Sequence, residues 1–182
     1  DEVDGSAILI KKEMWKAVDA YHEKIMDGYT QVVVAARLRH VDTGKEVVAV
    51  SLHLKSGYGG QEALRCQQFE RAMRIVRGRF GTTKPFIVAG DLNSDYTASY
   101  ARLVKEASSL AGDGVTLRNA ALDVGMHNKP TYYFWHHSTF DYILVSSPQF
   151  TVKGFVTQEA GAKAPNQWQG SDHFPVTAEL AF

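Results

Sequence analysis

Short apolar runs that break off in polar residues recur along the chain and predict strands. Phe86-Ile87-Val88-Ala89 is the clearest, and Gly90-Asp91-Leu92-Asn93 ends it abruptly. Residues 31–39 and 46–53 are strand-like runs on either side of Val41-Asp42-Thr43-Gly44-Lys45, whose Asp-x-Gly content predicts a hairpin. Residues 140–146, 151–156 and 176–180 predict further strands, and residues 7–10 another, entered through an Asp4-Gly5-Ser6 turn. Between 61 and 79 the period changes: Leu64, Phe69, Ala72, Met73 and Val76 share one helical face, with Arg65, Glu70, Arg71 and Arg74 around the rest. Lys84-Pro85 closes that segment, so the strand, helix, strand order implies a crossover packed on a sheet. Residues 97–107 repeat the helical spacing through Tyr100, Leu103, Val104 and Ala107, and Gly112-Asp113-Gly114 punctuates it. Residues 11–28 mix charges with Met14, Trp15, Val18, Tyr21 and Ile25, a spacing that suits an amphipathic helix or a packed excursion.

Composition narrows the class without naming a chemistry. A chain of 182 residues, 45% hydrophobic and 22% charged, suits a single domain over 1–182 with one substantial core. Its 20 basic and 20 acidic residues cancel, so any anionic ligand must be held by a local site. The lone Cys66 excludes an intrachain disulfide and a cysteine-based zinc cluster, and fits a reducing, intracellular setting. No run of about 18 apolar residues exists to span a membrane. A strand almost at residue one is an odd start for a domain, and reads as an N-terminal truncation.

Polar residues gather where the predicted strands end: His53, the Asp91 and Asn93 pair, Asp141, and the Asp172 and His173 pair. In a layered α/β fold, strand ends on one edge converge on a single crevice, so residues far apart in sequence can share a site. A carboxylate beside a carboxamide suits an electrophilic phosphate, since Asp91 can polarise a water and Asn93 can donate to a phosphoryl oxygen. Taken singly, each cluster has a bland alternative: an Asx turn at Asp91, a hydrogen-bonded structural imidazole at His53, and a turn or cap at Ser171-Asp172-His173. Their joint occurrence is harder to dismiss.

The His53-Leu54-Lys55, Gly90-Asp91-Leu92-Asn93, Phe140-Asp141-Tyr142-Ile143 and Ser171-Asp172-His173 blocks resemble the second half of the endonuclease/exonuclease/phosphatase superfamily of magnesium-dependent phosphoesterases. Asp4-Gly5-x-Ala7, Arg65-x-x-Gln68 and Asn93-Ser94 are most similar to its nocturnin and carbon-catabolite-repression-4 deadenylase branch. The resemblance implies an α/β (α+β) fold, a four-layer α/β/β/α sandwich of the DNase I-like type present here as its C-terminal part. It also implies hydrolysis with an activated water and Mg²⁺, with Mn²⁺ able to substitute. The first expectation is a 3′ exoribonuclease of the poly(A) deadenylase type acting on an RNA 3′ end. A nocturnin-like NADP(H) 2′-phosphatase follows, then an abasic-site endonuclease or a lipid or inositol-phosphate phosphoesterase. A non-catalytic scaffold module is the alternative from another class.

Residue by residue, the resemblance implies that Asp91 positions the attacking water, Asn93 holds a non-bridging oxygen, and His173 stabilises charge at phosphorus while Asp141 orients its ring. Asp172, with Asp91, would lie near the metal, and His53 would contact phosphate from the other side. Lys55, Arg65, Tyr132 and Trp135 are the expected substrate contacts, the aromatics by stacking a base, with a structural job at the start of its helix as the alternative for Arg65. Two departures stand out. Relatives take their principal metal-binding Glu from an N-terminal half, a half expected upstream of Asp1 and supplied as a partner segment, so this chain alone is expected to be an incomplete and inactive site. Gln61-Glu62 and Gln158-Glu159 imitate that dipeptide in the wrong places. Gly57 stands where nocturnin-like enzymes carry an Arg that grips a second phosphate.

Overall fold

Strands buried on both faces carry apolar residues at successive positions, whereas a strand open to water on one face alternates. The computed structural model of the protein describes residues 5–57, 59–99, 101–127, 129–132, 138–157 and 171–182. Its frame is a six-stranded sheet in the order β1-β2-β3-β4-β6-β5. The strands are β1 (Trp15–Lys24), β2 (Val32–His40), β3 (Glu46–His53), β4 (Phe86–Asp91), β5 (Leu117–Asn119) and β6 (Asp141–Ser146). β3 and β4 are parallel neighbours joined by the long helix α1 (Glu62–Phe80), the crossover that the sequence order implied. A second, two-stranded sheet pairs β7 (Thr151–Thr157) with β8 (Val176–Ala181). Two short helices complete the elements, α2 (Ala107–Ala111) and α3 (Ala120–Asp123).

Side-chain parity divides the core into two layers. Val33, Val48, Val50, Val88 and Leu144 point to the face covered by Phe69, Ala72, Met73 and Val76 of α1. Ala36, Val47, Ile87, Ile143 and Val145 point to the opposite face, where Phe150, Val152, Leu180 and Phe182 of the second sheet meet them. Helices α1 and α2, the large sheet and the second sheet are thus stacked α/β/β among the described residues, while α3 packs with Ile143, Val152 and Phe155 on the second-sheet side. Cys66 is buried in the helix-side layer, and burial pushes its thiol up to about 11, as suits a packing residue. No helix among the described residues is long and apolar enough to cross a membrane.

Three local expectations are corrected. Residues 15–24 form the edge strand β1 and not a helix; a bulge between Ala17 and Asp19 breaks its alternation, so the pattern reads as neither period. Residues 5–10 form no strand, although Ile8 and Ile10 pack on the second-sheet layer. Among the described residues, 97–99 and 101–106 run through turns and irregular chain, and helix begins only at Ala107. The carboxylate of Glu62 accepts the N–H groups of Arg102 and Leu103 at 2.8 Å each, the donors that a helix through 97–107 would give to the carbonyls of residues 98 and 99.

Candidate active site

Strand pairing alone brings three of the sequence-selected residues together. His53 lies opposite Asp91 across the parallel β3 and β4 pair, and Asp91 lies opposite Asp141 across the antiparallel β4 and β6 pair. The three occupy one row across adjacent strands. Gly90 makes the approach possible: its φ is 138°, and a Cβ there would come within 1.9 Å of the Leu52 carbonyl oxygen. Only glycine fits a backbone this close in that conformation.

His173 reaches the row from the segment before β8. Its backbone forms a bridge with Tyr132, and its Nδ1 donates to Asp141 Oδ2 at 2.7 Å. The Nε2 of His173 then lies 3.7 Å from Asp91 Oδ2, and the Nε2 of His53 lies 3.5 Å from the same oxygen. The two carboxylate oxygens of Asp91 are thereby divided. Oδ1 accepts the backbone N–H of Asn93 at 2.8 Å in an Asx turn, while Oδ2 faces the two imidazoles. The bland alternative for Gly-Asp-x-Asn is therefore true of one oxygen only. Asn93 itself has φ 52°, an αL conformation that asparagine tolerates, and its Nδ2 donates to the Leu54 carbonyl at 3.0 Å.

These groups open into a cleft of about 480 Å³ lined by His53, Ser56, Gly57, Asp91, Asn93, Tyr132, Phe140, Asp141, Asp172 and His173. Tyr132 sets its ring edge-on to His173, with centroids 5.0 Å apart. Among the described residues, ligand atoms of Asp91, Asp141 and His173 all lie within 4.8 Å of one another, a group that could hold a metal ion. Asp172, expected beside the metal, lines the cleft but is outside that group. Trp135 lies outside the described residues.

Arg65 requires a correction. Expected to touch substrate, it is fully buried beneath the cleft wall, paired with Glu62 at 3.0 Å and donating to the carbonyls of Lys55 at 3.2 Å and Gly57 at 2.9 Å. A guanidinium supplies five donors in a rigid fork, which suits holding a loop from below. Gln68 adds to the same support, its Oε1 accepting the Lys55 N–H at 2.9 Å. Lys55 is not among the cleft-lining residues, whereas its successors Ser56 and Gly57 are. Ser56 was missed as a contact because a small residue carries no chemical signature in a sequence, whereas Gly57 was marked only by the Arg that relatives carry there.

Electrostatics mark the row as short of positive charge. Burial, followed by the nearby Asp141 carboxylate, pushes the Asp91 carboxyl up to about 6 from an ordinary 3.8. Burial also works against charge on His173, but the Asp141 hydrogen bond and the charges of Asp141, Asp91 and Asp172 outweigh it and raise its pKa above 6.5. Both shifts tilt stability the same way. Ionising Asp91 penalises the fold as pH rises from 3.8 to about 6, and the stabilisation from protonated His173 is lost above 6.5 as pH passes through its raised value. Cation-free protein is therefore expected to melt at a lower temperature at about pH 8 than at about pH 5, and saturating Mg²⁺ is expected to reduce the difference. A thermal melt series that is flat, or that rises with pH, would contradict this charge balance.

A profile of the Endonuclease/Exonuclease/phosphatase family matches residues 2–173. Nocturnin of Drosophila melanogaster is 26% identical over 209 residues, covering 97% of this chain and 32% of its own length. The human nocturnin catalytic domain, solved with a bound sulfate anion, superposes with a TM-score of 0.72 at 23% identity, over 94% of this chain and 61% of that one. The mannosyl-6-phosphatase of Bacteroides thetaiotaomicron superposes at 0.69 with 18% identity, over 94% and 69%. The chain thus spans about a third of the length of the Drosophila relative and about three fifths of the human domain.

Proposed function

Since this chain belongs to the endonuclease/exonuclease/phosphatase family, we propose that it carries the hydrolytic centre of a divalent-metal-dependent phosphoesterase acting on RNA 3′ ends. The observation that carries the reading is the convergence of His53 and His173 on one oxygen of Asp91, 3.5 and 3.7 Å away, at the base of an open cleft.

A Mg²⁺-type ion fits the donors present. Such an ion prefers oxygen ligands and keeps several waters, and it would offset both the burial and the Asp141 charge that raise the Asp91 carboxyl. Asp91 and Asp141 would hold it, with Asp172 on the adjoining wall. When bound, it would supply charge neutralisation at the phosphoryl oxygens.

The chain's own groups account for the rest of an in-line displacement, in which positioning and electrostatics do most of the work. Asp91 Oδ2 takes the proton of the attacking water. Asn93 spends one amide hydrogen on the Leu54 carbonyl, and its second N–H serves a non-bridging oxygen. His173, its Nδ1 committed to Asp141, presents Nε2 to the phosphate, and the pairing with the carboxylate fixes that tautomer. His53 approaches from the β3 side. Tyr132 offers a ring at the cleft wall against which a base can stack.

A second reading, a 2′-phosphatase on nicotinamide dinucleotides, is favoured by the likeness to nocturnin. Gly57 on the cleft wall weighs against it, having no side chain to grip a second phosphate. Incubating the intact protein with Mg²⁺ and 5′-labelled oligoadenylate, NADPH or an abasic duplex separates the readings. Stepwise shortening of the oligoadenylate from its 3′ end is expected; phosphate release from NADPH alone would favour the second reading, and hydrolysis of none of the three would reject both.

A further inference from the structure

Asp141 and His173 belong to different elements, and the 171–174 segment that carries His173 precedes β8. What joins them is Thr131, only 1% exposed. Its Oγ1 accepts the backbone N–H groups of Phe140 at 2.9 Å and Asp141 at 3.1 Å, where β6 begins. Its own carbonyl accepts the N–H of Phe174 at 2.8 Å, and its N–H donates to the Ser138 carbonyl at 3.0 Å. The adjacent Tyr132 forms the backbone bridge to His173 and sets its ring against both His173 and Phe140. One residue thus fixes the backbone on either side of the 2.7 Å contact between the carboxylate and the imidazole.

We infer that Thr131 is a positioning residue for the hydrolytic reaction, its hydroxyl oxygen holding Asp141 in hydrogen-bonding register with His173. The physical ground is that one hydroxyl oxygen accepts from the N–H groups of both Phe140 and Asp141, so removing it takes an acceptor from both at once and lets the start of β6 shift, carrying Asp141 with it. A hydrogen bond that orients a reacting imidazole tolerates little displacement, and partners of this kind typically change activity by about 10- to 100-fold when removed. The inference rests on the proposed role of His173 and Asp141.

The test compares Thr131→Val, which keeps shape without an acceptor, with Thr131→Ser, which keeps the acceptor, in the intact protein. Turnover of oligoadenylate and the low-field proton resonance of His173 Nδ1–H are followed together. The expected result for Thr131→Val is a fall in kcat of about 10- to 100-fold with KM little changed and the resonance weakened or lost, while Thr131→Ser restores most of both. If the valine variant does not fold, Thr131→Cys, a weaker acceptor, takes its place with the same expected order. A folded variant with lowered stability but wild-type kcat and an intact resonance would overturn the inference. His173→Ala and Asp141→Asn run beside it keep the two claims apart. If neither lowers turnover, the reading of the site fails, and the resonance alone decides on Thr131.

Discussion

Asp91→Asn is expected to lower turnover by about 10³-fold or more while raising the melting temperature of the cation-free protein. The loss follows from removing the one oxygen that two imidazoles approach, together with the group that accepts the proton of water; general-base removal has effects of about 10² to 10⁴. The gain in stability follows from the same burial. Burial, with the Asp141 charge beside it, pushes this carboxyl up to about 6 when its ordinary value is 3.8, so at neutral pH ionised Asp91 works against folding. Asparagine has nearly the same shape, can still accept the N–H of Asn93 and carries no charge. Steady-state kinetics and calorimetry on one preparation decide the matter. Undiminished turnover would remove Asp91 from the chemistry, and a lower melting temperature would contradict the charge balance of the row.

Glu62→Ala is expected to destabilise the protein by about 3–5 kcal/mol, the range for breaking a buried ion pair from one side. Its carboxylate accepts from the Ser94 hydroxyl and from the N–H groups of Arg102 and Leu103, each at 2.8 Å, and pairs with Arg65 at 3.0 Å. Burial alone would raise the pKa of Glu62, yet these bonds lower it below 4.5. The stabilisation is therefore present above 4.5 and is lost as pH falls through the lowered value. Removing the carboxylate also releases Arg65, whose guanidinium carries the carbonyls of Lys55 and Gly57 beneath the cleft wall. Urea unfolding should show a lower midpoint, and any folded fraction should show a raised KM. Wild-type stability would mean that the 94–103 segment is held by other contacts.

The parts of the fold that were legible in the sequence are those where one period dominates. β2, β3, β4 and β6 carry apolar residues on both faces because both faces are covered, and the buried face of α1 repeats through Phe69, Ala72, Met73 and Val76, with Glu62, Arg65 and Gln68 as its polar exceptions near the N-terminus. β1 was illegible because its bulge shifts the alternation midway. The helix expected over 97–107 failed for a reason no local pattern contains, namely a carboxylate some 40 residues upstream that claims its N–H groups. β5 and α3, three and four residues long, are too short to show a period.

The site was legible to the extent that strand ends in a layered fold share an edge. His53, Asp91, Asn93, Asp141, Asp172 and His173 all line the cleft. Arg65 fits its structural alternative and not the substrate contact, since only the three-dimensional arrangement supplies the carboxylate and carbonyls that let a charged side chain be buried. Thr131 carried no signal at all, since its role depends on N–H groups nine and ten residues away that reach it only when the chain folds back.

The assignment of Asp91, Asn93 and His173 to one phosphate and its cation is tested by a crystal of the intact protein grown with Mn²⁺ and adenosine 5′-monophosphate. The expected anomalous peak is bonded to the Asp91 carboxylate, with the phosphate held between Asn93 Nδ2 and His173 Nε2. A cation and phosphate bound elsewhere, with the cleft between His53 and His173 empty, would contradict it.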